Sequence, residues 1–363
     1  MNNNIVLFID GISKFQRSGG RSSTDILINR MQSEIATNVY LNSLVCDNSR
    51  IFRIIFNLSS SFFVFIHRKF GALFMEFFCR FSLLLIIRVI FYLLLYRPTT
   101  IILNHHSVFW LSLFFKKGTC VFIFHDVISH KFTTKGRVSG LHKHSISCFE
   151  KFVCARSKAV WTFSVKDRDL LSSIALVKVK LLPVTELSIA KPRELGRDFA
   201  AVCVGNWYRR ENSEGLLKLL STCADNGRIG TDEVDTLPIT VLGVGAESLK
   251  LTETAGVDTF GYYESLSEFS QMFLLAPITS GAGIKVKVLE AWKHDFIVIG
   301  TPLAFEGIPP EAVSVGGIVV KDIQQMADFI RDHVALSNQM KARFGARAFN
   351  IYVDFLKSEK LFD

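Results

Sequence analysis

The sequence predicts an α/β chain with two parallel-sheet domains. Three observations predict it: the length, a series of short apolar runs that end in polar residues, and helix-like segments between those runs. At 363 residues the chain exceeds one ordinary core, and at about 150 residues per domain it divides into two. The composition is 49% hydrophobic with 33 Phe and only 8 Pro, which suits large packed cores and excludes a disordered chain.

In the first half, residues 5–9 (Ile-Val-Leu-Phe-Ile) read as a buried parallel strand, because such strands are apolar on both faces. The loop Ser18-Gly19-Gly20-Arg21 follows, and Ser22–Asp25 offers N-caps to a helix reaching about Ile35. Residues 100–103 and 119–124 read as further strands, ending in Asn104-His105-His106 and His125-Asp126. Residues 160–164 form another, with a helix from Lys166. Ligands of open α/β sheets lie beyond the carboxyl ends of the strands, where these polar groups fall.

The stretch 51–96 is dominated by Phe, Leu and Ile. Its densest part, 81–96, contains Arg88 and is shorter than the ~20 apolar residues of a spanning helix. Two readings stay open: a pair of helices packed on the sheet, or a monotopic surface dipping into a membrane interface, with Arg68, Lys69, Arg80 and Arg97 at the headgroups.

A polar stretch, 188–197, reads as the linker, and a second alternation begins at Ala200. Strands are expected at 200–204, 239–242, 259–262, 272–276, 296–299 and 317–320, and helices at 212–223, 285–292 and 323–334. The domains are thus 1–190 and 198–336, with a last helix within 337–363 returning to brace the first domain.

The net charge of +9 favours polyanionic partners: nucleic acid, anionic lipid or phosphorylated substrates. Seven scattered Cys without a C-x-x-C pair argue against a disulfide framework or a Cys-based zinc site and fit a reducing cytoplasm. The N-terminus has no basic region or cleavage site of a signal peptide. His130, His142 and His144 lack further ligands for a metal.

The most informative segment follows Pro277. Thr279-Ser280-Gly281-Ala282-Gly283 is a small-residue loop, and a helix is expected from Ile284. A glycine-rich loop feeding a helix N-terminus suits a diphosphate, which the free N–H groups and the helix dipole attract. Lys285 and Lys287 put cations in a first turn that by itself prefers acids, which suggests an outside anion. Glu290 follows, placed to accept hydrogen bonds from ribose hydroxyls.

This run, with Ile297–Pro302 and Glu306-Gly307, resembles the donor-binding region of family 4-like glycosyltransferases (glycosyl transferases group 1). The resemblance implies a GT-B architecture, two Rossmann-like domains facing across a cleft. It places Gly205, Arg209 and Arg210 against the donor diphosphate, Gly261 and Tyr262 at the base, and Gly19-Gly20 over the phosphates. His125-Asp126 resembles a His-Asp pair near the acceptor, and His105 and His106 read as strand-end structural residues. Many members carry two glutamates eight positions apart; here Ala282 stands where the first would be, so the amides of 281–283 are left to hold the sugar.

What the resemblance implies is transfer of a hexosyl group from a nucleoside-diphosphate sugar to a hydroxyl acceptor, with retention. No cofactor or metal is expected. His125, Asp126, Lys285 and Arg209 carry the catalysis; Ile284, Lys287 and Glu290 line the donor site. The implied partners are the donor and a glycan or lipid-linked glycan, as in surface-polysaccharide or lipopolysaccharide assembly. The expected setting is cytoplasmic, peripheral on the inner face of the membrane, with no nucleic acid. The alternatives are an inactive binding or scaffold protein and a sugar-nucleotide epimerase of the same fold.

Overall fold

The computed structural model describes residues 6–10, 26–28, 39–42, 83–130, 140–192, 198–225, 237–251, 256–281, 283–331 and 343–358. The chain divides into two compact units, Met1–Glu186 with Leu361–Asp363, and Leu187–Lys360.

The first unit contains β1 (Val6–Asp10), β2 (Val39–Asn42), α1 (Leu83–Tyr96), β3 (Thr100–Asn104) and a 3-10 helix (His106–Phe114). It continues with β4 (Cys120–Phe124), α2 (Gly140–Arg156), β5 (Ala159–Thr162), α3 (Val165–Ser172) and β6 (Val179–Leu181). The strands form one parallel sheet in the order β2-β1-β3-β4-β5-β6. β4 is buried along its whole length, as its run Cys-Val-Phe-Ile-Phe requires. Phe109 packs edge-on against Phe122 and Phe124, at 5.0 and 4.8 Å between centroids. Residues 163–164, expected in a strand, leave it: Ser164 is the N-cap of α3 and accepts from Asp167 N at 3.0 Å.

The second unit contains β7 (Asp198–Val204), α4 (Arg210–Asp225), β8 (Ile239–Leu242), β9 (Val257–Phe260), β10 (Gln271–Ala276) and α5 (Val286–Lys293). β11 (Ile297–Gly300), α6 (Pro310–Gly316), β12 (Gly317–Val319), α7 (Ile323–Arg331) and α8 (Gly345–Ser358) complete it. Its sheet is also parallel, in the order β12-β11-β10-β7-β8-β9. The chain builds outward from β7 through β8 and β9, then crosses to β10 on the other side. The strand order therefore reverses between β7 and β10, and the crevice beyond their carboxyl ends is where such sheets bind ligands.

Two close approaches fix that crevice. α4 lies against the end of β10: a Cβ on Gly215 would sit 1.7 Å from the Pro277 carbonyl oxygen. Only glycine lets the helix come so near. On the other side, Trp292 of α5 is fully buried and donates its indole N–H to Gly316 O at 2.9 Å.

The helix expected to brace the first domain packs, over Gly345–Ser358, on α5 and α6 of the second unit. The buried Asp295 carboxylate receives Ala346 N–H at 2.8 Å at its start. Midway, Asn350 makes two hydrogen bonds with the Ala190 backbone, at 2.9 and 3.1 Å. The stretch expected to be a linker is thereby pinned to the last helix.

Candidate functional site

β7 ends at Val204, and the segment 205–209 turns into α4. Trp207 anchors it: the buried indole donates to Leu242 O at 2.9 Å, and Trp207 N donates to Val244 O at 2.9 Å. Asn212 Nδ2 donates to Asn206 O at 3.0 Å and closes the turn. Arg209 is left exposed at the mouth. Arg210, expected on a diphosphate, is the first residue of α4 and is ion-paired with Glu214 one turn along the helix.

Across the switch point, β10 is followed by Pro277 and the small-residue loop. Gly281 and Gly283 adopt φ of 124° and 74°, open to glycine and strained for other residues. The helix begins later than the sequence suggests. Ile284 lies in the loop, and Lys285 is the N-cap of α5 without a side-chain capping bond. The first turn contains no acid. Its N–H groups and dipole face the loop, an arrangement suited to an anion. Lys285 folds back, donating from Nζ to Gly283 O at 2.5 Å.

Lys287 departs from the expectation of a ligand contact. Its ammonium points inward, donating to Val204 O at 2.9 Å and Asn212 Oδ1 at 3.1 Å. Burial, with the nearby charge of Lys285, pushes it down from 10.5 to about 8. It joins the end of β7 to the first turns of α4 and α5. The cationic first turn is thus accounted for at Lys287 from inside the fold.

The connection from β9 to β10 lies against α5. Tyr263 sits beside Glu290; burial, reinforced by the Glu290 charge, pushes its phenol up to about 12. Ser265 Oγ and His294 Nε2 are 3.5 Å apart at the other end of the helix. Gly261 faces the Glu247 carboxylate, and Tyr262 stands out into solvent. Sequence reasoning missed Tyr263, although it directly follows Gly261-Tyr262.

In the first unit, the ends of β3 and β4 bring imidazoles together. His125 Nε2 and Asn104 Oδ1 are 2.9 Å apart, which makes Nε2 the donor and leaves Nδ1 as an acceptor. The His105 and His106 rings are 3.8 Å apart, and His105 lies 5.6 Å from His125. Phe163 covers His125 at 4.8 Å. Burial, then the charge of His106, pushes His125 down to about 3, so it is neutral at physiological pH. His105 holds φ 80°, a strained value for a non-glycine residue, with Nδ1 accepting from Ser107 N at 3.3 Å.

The turn after Asp126 is held by two buried carboxylates. Glu150 Oε1 accepts from Ile128 N at 2.8 Å and Ser129 N at 3.3 Å; Asp167 Oδ1 accepts from Val127 N at 3.4 Å. No sequence signal marked Asn104, Phe163, Glu150 or Asp167 as a group, because they come from β3, α2 and the turn and first residues of α3. The triplet Asp167-Arg168-Asp169 has the spacing of a metal-binding Asp pair, but its two carboxylates are used within the fold. Asp167 also accepts from Ser164 Oγ at 2.6 Å, and Asp169 is ion-paired with Arg168 at 3.1 Å. Gly19, Gly20 and Ala282 lie outside the described residues. Among the described residues, no three His, Cys, Asp or Glu gather as a metal site.

No family model and no curated protein matches the sequence. Solved structures do match. The Anabaena protein HepE (Alr3699), in complex with UDP, aligns with a TM-score of 0.58 at 11% identity, over 97% of this chain and 95% of that one. A glycosyltransferase from Rickettsia africae ESF-5 aligns at 0.56 and 12% identity, over 98% and 96%. A single-site mutant of S. aureus TarM aligns at 0.54 and 15%, over 75% of this chain. The fold is that of the GT-B glycosyltransferases. The chain spans 57% of TarM's length, and 55% of the pneumococcal O-GlcNAc transferase GtfA, where the TM-score is 0.46.

Proposed function

We propose that this protein transfers a glycosyl group from a nucleoside-diphosphate sugar to a hydroxyl acceptor, as a retaining hexosyltransferase of the family 4 type. The observation that carries the reading is the loop Gly281–Lys285, which feeds an uncapped, acid-free helix start at the switch point of the second sheet. HepE is known with UDP and glucose bound, and TarM with UDP and alpha-GlcNAc-glycerol. A uridine diphosphate sugar is therefore the first donor class to test.

Cleavage of the anomeric bond places negative charge on the leaving diphosphate. Donors already aimed at that charge supply the largest catalytic effect. Here they are the loop amides, the α5 dipole, Lys285 and exposed Arg209. Glu290 accepts from the ribose, with the Tyr263 ring at its side. The neutral His125, oriented by Asn104, accepts a hydrogen bond at Nδ1 from a substrate hydroxyl. No metal is assigned a role. The acceptor proposed is a glycan or lipid-linked glycan of surface-polysaccharide assembly, reached from the cytoplasmic side.

The test is thermal unfolding with UDP, GDP, dTDP, CDP and ADP, each with and without EDTA, followed by donor turnover. Ligand at 100-fold its Kd adds about 2.7 kcal/mol. The expected result is a shift with one nucleotide, indifferent to EDTA and lost in Glu290→Ala. In His125→Ala that shift stays while transfer falls by about 100-fold. No shift with any nucleotide refutes the reading in favour of a non-catalytic scaffold. Turnover of the sugar nucleotide to its epimer, without transfer, refutes it in favour of an epimerase.

A further inference from the structure

α1 has two apolar faces where a surface helix of a globular unit needs one. Val89 is buried in the core of the first unit, with Ile86, Tyr92 and Leu93 packed against that core. The opposite face carries Ile87, Ile90, Phe91, Leu94 and Leu95, which are 55, 49, 61, 74 and 56% exposed. Their spacing sets them in one stripe along the helix. Singly exposed apolar residues need no explanation, but a continuous stripe marks an interaction surface.

What surrounds the stripe selects its occupant. α1 ends three residues before β3, so its C-terminus lies at the amino-terminal edge of the sheet. At that same edge Ile101 N donates to Thr119 O, Gly118 N to Arg156 O and Lys158 Nζ to Thr100 Oγ1. These bonds gather Arg97, Lys116, Lys117 and Lys158, all exposed, beside the helix end. The end of the 3-10 helix adds exposed Leu113 and Phe114, separated from the two lysines only by the buried Phe115. Between Glu76 and Asp126 the chain has no acidic residue at all. Apolar side chains edged by cations fit the interface of an anionic bilayer, with rings and aliphatic chains among the acyl groups and cations at the phosphates. α1 lies along that surface and does not cross it: its 14 residues span about 21 Å, against about 30 Å of hydrocarbon. Among the described residues no helix is long and apolar enough to cross a membrane.

We propose that the outer face of α1, with Leu113, Phe114 and the Arg97–Lys116–Lys117–Lys158 cluster, docks the first unit on an anionic lipid bilayer. The docking stands on this unit alone. Only its consequence, that the acceptor hydroxyl is presented at a membrane surface, rests on the glycosyl-transfer reading.

The test is flotation of the full chain with vesicles of phosphatidylcholine alone or mixed with phosphatidylglycerol, without nucleotide. Wild type is expected to float with the mixed vesicles and much less with the neutral ones. Each cation near such a surface is worth about fivefold in partition, so Lys116→Glu with Lys117→Glu lowers it by about 25-fold or more. Ile87→Ser, Phe91→Ser and Leu94→Ser together lower it by about 100-fold or more. Their side chains leave the core untouched, so cooperative unfolding is retained. Equal partition to both vesicle types, or partition indifferent to both variants, overturns the proposal. So does a concentration-dependent dimer abolished by the serine variant, since the stripe would then be covered by a second copy of the chain. The nucleotide shift is measured without lipid, so failure of docking and failure of the donor reading register separately.

Discussion

Lys287→Met separates an internal brace from a ligand contact. Methionine keeps the length of the stem and removes the ammonium, leaving Val204 O and Asn212 Oδ1 without their donor. Each lost bond from a charged donor costs about 1.5–3 kcal/mol. Against this stands the cost of burying the cation. A fall from 10.5 to about 8, at about 1.4 kcal/mol per pH unit, amounts to about 3 kcal/mol. The two partly cancel at neutral pH, where the variant is expected to be less stable by about 1–3 kcal/mol. The sign of the pH dependence follows from linkage. Between pH 8 and 10.5 the unfolded chain holds this proton and the folded chain has released it, so wild-type stability from this group rises with pH. The variant has no such gain. The gap between them is therefore expected to widen across that window by up to about 3 kcal/mol, other titrating groups being common to both. Urea denaturation of both proteins at pH 7, 9 and 10.5 measures it. A gap that does not change with pH refutes the buried brace. A variant as stable as wild type that no longer binds nucleotide refutes it in the other direction, by placing Lys287 on the ligand.

Two further outcomes follow from packing and charge. Gly215→Ala forces a methyl to within 1.7 Å of Pro277 O, so α4 must move off the end of β10; calorimetry is expected to show a loss of about 2–3 kcal/mol or more, and an unchanged melting temperature refutes the packing. Burial, opposed by its hydrogen bonds and helped by the charge of Asp167, pushes Glu150 up to about 7. A raised carboxyl favours the fold below its unfolded value of 4.5 and loses that contribution as pH rises to about 7. Glu150→Gln, which keeps an acceptor for Ile128 N–H and Ser129 N–H, is thus expected to match wild type near pH 4.5 and exceed it in stability at pH 8, as urea denaturation at the two pH values would show.

The central strands were legible because both sheets are parallel and covered on both faces. Residues 120–124 and 297–300 are runs without a polar side chain, and 239–242 is broken only by the buried Thr240, a pattern that at this length reads as a doubly covered strand. β2 and β6 were not, being edge strands of four and three residues with a polar residue in each. The 3-10 helix His106–Phe114 has no 3.6-residue period to detect. At the site, the sequence located the loop Gly281–Gly283 and the start of a helix to within two residues. It could not give the direction of side chains. Lys287 and Arg210 have the right charge for a diphosphate, but one turns inward to a strand carbonyl and the other pairs along its own helix. The influence of Glu290 on Tyr263, and the bond between Asn104 and His125, link separate elements, which local pattern does not encode.

The helix Gly345–Ser358 ties completion of the candidate site to the emergence of residues far beyond it in the chain. α5 rests on α8, whose start is capped by Asp295 and whose middle is bonded to Ala190. A nascent chain folds in the order in which it emerges. The first unit has almost all of its residues early. The second has its whole sheet by Val319, yet lacks the support beneath α5 until Ser358 has left the ribosome. A chain stopped near residue 336 keeps every loop of the site and loses the surface against which Trp292 and its helix are set.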